Sequence, residues 1–321
     1  MLGEALRCAL CMAIDSRPPL PRDRPKRGET TPMETLSDVL ETLQLERVSS
    51  GHVFTEGPLW HPDDYWYFVD IRVNHLYRMA LGQKPVLVRE TVGGNGTTFD
   101  LHGNLINCEG DARRLTRATP DGAVSVLVER FEGKRFNRPN DVICSSDGTL
   151  FFTDPGIRVP LGERDIGEGA VYRLTPAGEL HRVCWCEYPN GLALSPDART
   201  LYVANTRWTQ YLHAIELTEA GEMVRRRVLA DMSHDQGGVN GVPDGMKVDA
   251  AGRIFCTGTT GVWVFAPDGR RIGIIETPEI CANVAFGGPD LRTLMLTAST
   301  SVYTLRTKMP GVPHPWYQRR G

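Results

Sequence analysis

Six oxygen-bearing side chains recur at one place in the sequence. Aligned on their turns, the chain's repeated units place Glu56, Asn95, Asn140, Asn190, Asp244 and Asn283 in one register, each just ahead of an apolar run. Asn and Asp are common at turns and strand starts, where they cap the backbone. Hairpin physics does not ask for such a residue in every unit. A set of carboxylate and amide oxygens without thiols is a hard-ligand set. It suits Ca²⁺ first, with Mg²⁺, Mn²⁺ or Zn²⁺ as alternatives. Glu56 and Asp244 would carry the charge, and water would fill the remaining positions. A cation so held polarises a carbonyl oxygen as a Lewis acid.

The elements that must position these residues are short strands. Past Leu45 the sequence alternates in brief runs bounded by Gly, Asp and Pro. One unit, an apolar run, a turn of the S-x-D-G type and a second run, appears as GPLWHPDDYWYFVD (57–70), GTTFDLHGNLINCEG (96–110) and DVICSSDGTLFFTD (141–154). It returns as GLALSPDARTLYVAN (191–205), GMKVDAAGRIFCTG (245–258) and VAFGGPDLRTLMLTA (284–298). Further strand candidates lie between the copies. A spacing of roughly 40 to 55 residues with about four strands per unit is the mark of a β-propeller. The fold expected is therefore all-β, a six-bladed propeller with a metal site in the central channel. Each blade's first strand lines that channel, so the six residues converge at one mouth. ERVSSGHVF (46–54) is expected to supply the outer strand of the last blade and close the ring. A β-sandwich would leave the repeat unexplained.

Residues 1–40 read as a flexible N-terminal extension and residues 41–321 as the propeller, because Arg17 to Pro32 is rich in Pro and charge. A net charge of -3 gives no reason to expect nucleic acid or an anionic membrane as partner. No apolar run is long enough to span a bilayer. The eight cysteines sit mostly in strand-like runs and read as free buried thiols of a cytoplasmic protein. Cys8 and Cys11 have no second ligand pair nearby. His234 and Asp235 lie in a polar loop expected to overhang the channel mouth. A monomer or small homo-oligomer is expected.

FTEGPLW, RPNDVICSSDGTLFFTDP, PNGLALSPD, PDGMKVDAAGRIF and NVAFGGPD resemble the gluconolactonase / senescence-marker-protein (regucalcin) family, from about residue 46 to about 310. The resemblance implies a six-bladed propeller with a divalent metal in the channel, hydrolysing sugar lactones. Carried over by motif, Glu56, Asn190 and Asp244 are metal ligands, Asn140 is a further ligand or a substrate contact, and Arg138 binds substrate. Asp244 doubles as candidate general base for the attacking water. Glu109, in CEGD, is a weaker candidate for base or substrate contact. Asn95 and Asn283 are expected to line the substrate pocket, and Asp141 to brace the Asn140 loop. An acidic substrate contact of some relatives has no clear match here. An organophosphate or aryl-ester hydrolase, or a non-enzymatic calcium-binding propeller, are the alternatives.

Overall fold

Short strands dominate the computed structural model, which describes residues 33–156, 159–233 and 240–319. They form six four-stranded antiparallel sheets. Blade 1 comprises Thr55–His61, Tyr65–Asp70, His75–Met79 and Val86–Glu90, and blade 2 Gly94–Phe99, Leu105–Glu109, Arg114–Ala118 and Val124–Val128. Blade 3 comprises Val142–Cys144, Leu150–Asp154, Ala170–Leu174 and Leu180–Trp185, and blade 4 Pro189–Leu194, Thr200–Asn205, Tyr211–Leu217 and Met223–Asp231. Blade 5 comprises Met246–Val248, Ile254–Gly258, Gly261–Phe265 and Arg271–Glu276. Blade 6 takes Cys281–Gly287, Thr293–Ala298 and Ser301–Arg306 from the end of the chain and Glu46–Ser50 from before blade 1. Ser50 pairs with Ser301 and Glu46 with Thr304, so the expected closure of the ring is present.

Burial grades outward through each blade. Thr55–His61 is buried along nearly its whole length, whereas Val86–Glu90 is mostly exposed. The first strands of neighbouring blades touch all the way round, blade 6 returning to blade 1. Cores form mainly between blades. Ile106 and Leu115 of blade 2 share a core with Phe136, Phe152 and Tyr172 of blade 3 and the loop before it, for example; those three rings lie 5.3 to 5.4 Å apart, and burying each contributes about 1.5–3 kcal/mol.

The turn after each first strand is the same device six times. His61, Asp100, Ser145, Ser195, Asp249 and Gly288 each accept a hydrogen bond from the N–H three residues on, at 2.8 to 3.2 Å. The donating residue is left-handed in every case: Asp64, Gly103, Gly148, Ala198, Gly252 and Leu291. In blades 3, 4 and 6 the turn Asp also accepts from the N–H two residues on. That local bond is the physical content of the S-x-D-G signature.

Two terminal segments depart from the expected layout. Residues 34–40, grouped with the extension in the sequence reading, pack on the propeller. A short helix, Leu36–Val39, lays Val39 and Leu40 against Phe255, Val264 and Ile275 of blade 5 and Leu294 of blade 6. Glu34 pairs with Arg253 at 2.6 Å. The rest of the extension, with Cys8 and Cys11, lies outside the described residues, as does the His234–Asp235 pair. At the other end of the chain, Val312–Tyr317 runs across the first-strand ends of the channel, where Trp316 and Tyr317 pack on Phe99 and Trp60.

Candidate active site at one mouth of the channel

Glu56, Asn95, Asn140, Asn190, Asp244 and Asn283 each lie five residues before the turn acceptor of their blade, at or just ahead of its first strand. The structure therefore gathers all six at one mouth. Hydrogen bonds stitch the mouth together blade by blade. Thr97 donates to Gly57 O (2.8 Å) and the Gly96 N–H to Asn140 O (2.8 Å). Thr153 donates to Asn190 O (2.7 Å), the Gly191 N–H to Asp244 O (3.2 Å) and the Gly245 N–H to Ala282 O (2.8 Å). Asn283 closes the circuit by donating to Glu56 Oε2 (2.9 Å).

Such close approach needs a glycine after the ring residue. A Cβ on Gly191 would lie 2.1 Å from Asp244 O, and one on Gly245 would lie 2.0 Å from the Asn283 amide. The position is glycine in blades 1, 2, 4 and 5, Asp141 in blade 3 and Val284 in blade 6. The loops entering the mouth are pinned from below by the ends of the second strands. Asp70 accepts from the Val53 and Phe54 N–H groups (2.8 and 3.0 Å), and Asp154 from those of Asn137 and Arg138 (2.8 and 2.6 Å). Asn205 accepts from the Tyr188 N–H at 2.8 Å. These polar strand ends thus shape the site without entering it.

The mouth is electrostatically demanding. Glu56 is 2 % exposed, and burial first, then the Asp141 carboxylate, push its carboxyl above the usual range. Burial likewise raises Asp141. Two donors reach Glu56 Oε2, the Gly57 N–H (2.7 Å) and Asn283. Lys247, three residues beyond Asp244 in the first strand of blade 5, opposes the rise at both carboxyls through its charge. Asn190 directs its Nδ2 to Thr206 Oγ1 (2.9 Å), which donates in turn to Pro243 O (2.7 Å), so its Oδ1 is the amide atom left to accept from or bind a ligand. Asn95 Oδ1 and Asp141 Oδ2 are buried without a hydrogen-bond partner. Buried, unpartnered oxygens beside carboxylates held out of water fit a hard cation. Among the described residues no three His, Cys, Asp or Glu side chains cluster as a metal site, so amide oxygens would have to complete the shell.

Arg138, Asn95 and Asn140 line one small polar cleft, together with Ile71, Gly93, Gly110 and Pro139. Two expected pocket residues are placed differently. Glu109 accepts from Arg89 at Oε1 (2.9 Å) and from Arg114 Nε and Nη2 at Oε2 (3.0 and 2.8 Å). With two guanidinium groups on its carboxylate it serves as an ion-pair centre and is unsuited to be a base or substrate contact. Asn283 braces Glu56 with Nδ2 and accepts from the Val284 N–H with Oδ1 (2.9 Å), so its amide is already occupied. Asp141, in contrast, belongs to the mouth itself. The signal for it was the break in the glycine pattern. The described cysteines are buried free thiols, and burial raises all six.

Six blades around a channel, with one mouth ringed by carboxylate and amide oxygens, define a β-propeller with a candidate ligand site on its axis. The chain belongs to the SMP-30/Gluconolactonase/LRE-like region family, whose sequence profile matches residues 54–300. It is 32% identical to a gluconolactonase of Zymomonas mobilis over 87% of this chain and 85% of that protein. A pentonolactonase of Haloferax volcanii is 31% identical over 76% of this chain and 81% of its own length. The solved structure of a gluconolactonase from Xanthomonas campestris superposes with a TM-score of 0.78 at 31% identity, covering 85% of this chain and 92% of that one. Among the described residues no helix is long and apolar enough to cross a membrane.

Proposed function

We propose that this protein is a divalent-metal-dependent hydrolase that opens sugar lactones to aldonic acids, with Ca²⁺ as the first candidate for the metal. That it is a lactone-hydrolysing enzyme acting on ester bonds rests on its family and on lactonase relatives matched over most of the chain. The observation that carries the fuller reading is the convergence of Glu56, Asn140, Asn190 and Asp244 at one mouth, beside a cleft holding Arg138 and Asn95. Those four would hold the cation, with Asp141 adding charge. Such an ion supplies Lewis acidity at the lactone carbonyl.

The chain's own groups account for the remainder of the reaction. Asp244 is half-buried while Glu56 and Asp141 are almost fully buried, so it is the mouth carboxylate best able to meet a water. It takes a proton as the water oxygen bonds to the carbonyl carbon. The ring carbon–oxygen bond then breaks, and the ring oxygen leaves as a hydroxyl carrying that proton. Arg138 and Asn95 orient the sugar hydroxyls. Free buried thiols throughout the blades favour a reducing, cytoplasmic setting.

Proton release from a panel of aldonolactones tests the proposal, with metal-stripped protein and after addition of Ca²⁺, Zn²⁺, Mg²⁺ or Mn²⁺. Turnover should require added metal, and Asp244→Ala should lower it by about a thousandfold. Absence of turnover with every lactone, despite bound metal, would overturn the lactonase reading.

A further inference from the structure

Arg138 meets its counter-charge within the protein. Its Nη2 lies 2.6 Å from Asp111 Oδ1, and its backbone N–H is pinned by Asp154. The side chain passes over Gly110, where a Cβ would sit 2.7 Å from Arg138 Cγ. The Asp111 carboxyl lies over Gly93, where a Cβ would fall 2.6 Å from Asp111 Cγ and 2.7 Å from Oδ2. Both glycines line the polar cleft that holds Asn95 and Asn140. The pair is 34 % and 44 % exposed at its side chains, so it contributes little to stability. Two glycines from opposite ends of a hairpin nonetheless leave it room.

We propose that Asp111 is a specificity-determining residue. It converts the cleft's arginine from an anion site into a neutral grip for a polyol, in which the carboxylate accepts from one sugar hydroxyl while the guanidinium donates to another. The substrate class is then uncharged aldonolactones. Lactones bearing a carboxylate, phosphate or sulfonate meet a carboxylate already on the arginine and are selected against. This inference rests on the lactonase reading for its substrate, but the charge pair can be tested without turnover.

Two assays separate the two claims. The first compares kcat/KM for glucono-δ-lactone and its 6-phosphate in the metal-loaded wild type, Asp111→Asn and Asp111→Ser. Removing one negative charge a few ångströms from the ligand should raise the phosphorylated-to-neutral ratio about tenfold. The gain should shrink in high salt. The second measures direct binding of 1,5-anhydroglucitol and its 6-phosphate, neither of which has a lactone to open. The same shift in ratio is expected. An unchanged ratio in both variants overturns the role of Asp111, as does failure of either analogue to bind any of the three proteins. A shift in binding with no lactone turnover in the wild type would overturn the hydrolase reading and leave the charge pair standing.

Discussion

The two ends of the channel are built from the same six strands and differ in almost every chemical respect. At the mouth stand Glu56, Asn95, Asn140, Asp141, Asn190, Asp244 and Asn283. Two to four residues further along, the lining becomes Leu59, Val142, Ala193, Val248, Ala285 and their neighbours around a cavity of about 140 Å³. Val312–Tyr317 covers that end, so the larger space lies away from the polar groups. Lys247 projects into the apolar cavity, yet its charge acts on Glu56 and Asp141. A propeller has two openings, and the rotation that relates its blades does not relate them. This chain leaves buried oxygens unmatched at one of them, where the proposed site lies, and makes the other a core by closing it with aromatic rings.

If that division is right, substitutions at the two ends should separate activity from stability. The largest effect belongs to the mouth. Glu56→Gln should cost about a thousandfold in turnover. Its metal-free melting temperature should hold or rise, because a buried, desolvated carboxylate is removed while an oxygen remains for Gly57 and Asn283. A melting temperature that falls with activity would mean the mouth is part of the stabilising core. Trp316→Ala is the counterpart. It empties the space over Phe99 and Gly103 and should lose about 3 kcal/mol in denaturant unfolding, with kcat/KM within about twofold of wild type. A collapse of activity in the folded variant would erase the distinction between the ends.

Lys247→Met probes an electrostatic link between them. Without the ammonium, Glu56 and Asp141 lose a favourable partner, and a bound cation has more charge to neutralise. The stabilisation conferred by added Ca²⁺ over a chelator should grow by about 1–2 kcal/mol, read from paired thermal melts. An equal or smaller gain would show that Lys247 does not act at the mouth.

This division explains what the sequence disclosed. Blade number and the register of the six mouth residues were legible because each depends on local turn chemistry repeated six times, and ring closure because a strand-like run precedes the first unit. Roles that depend on neighbours across blades were not. Glu109 reads as a pocket acid until Arg89, from the outer strand of blade 1, is seen on its carboxylate. Asn283 reads like the other ring amides until its Nδ2 is found on Glu56. The motifs that hold Asp141 and Asp111 do not disclose their roles, which come from the glycines that stand aside for them. Trp316 and Leu40 lie outside the repeat, so periodicity could not assign them to a core.

The smallest effect tests the covered end at a single backbone angle. All six turns there need a left-handed residue, and blades 2, 3 and 5 supply glycine. Blade 4 supplies Ala198 at φ 56°. A Cβ in that region costs about 1–2 kcal/mol, part of which glycine returns through its greater freedom when unfolded. Ala198→Gly should therefore stabilise the protein by roughly 0.5–1 kcal/mol, with turnover unchanged, because the turn lies at the end of the channel away from Asn190. Leu291, at φ 55° in blade 6, would not repay the same change, since its side chain also lines the cavity. A gain at Ala198 paired with a loss at Leu291→Gly would show that strain is tolerated at this end where a side chain fills the core. A gain at both would show that the cavity contributes little to holding the channel closed.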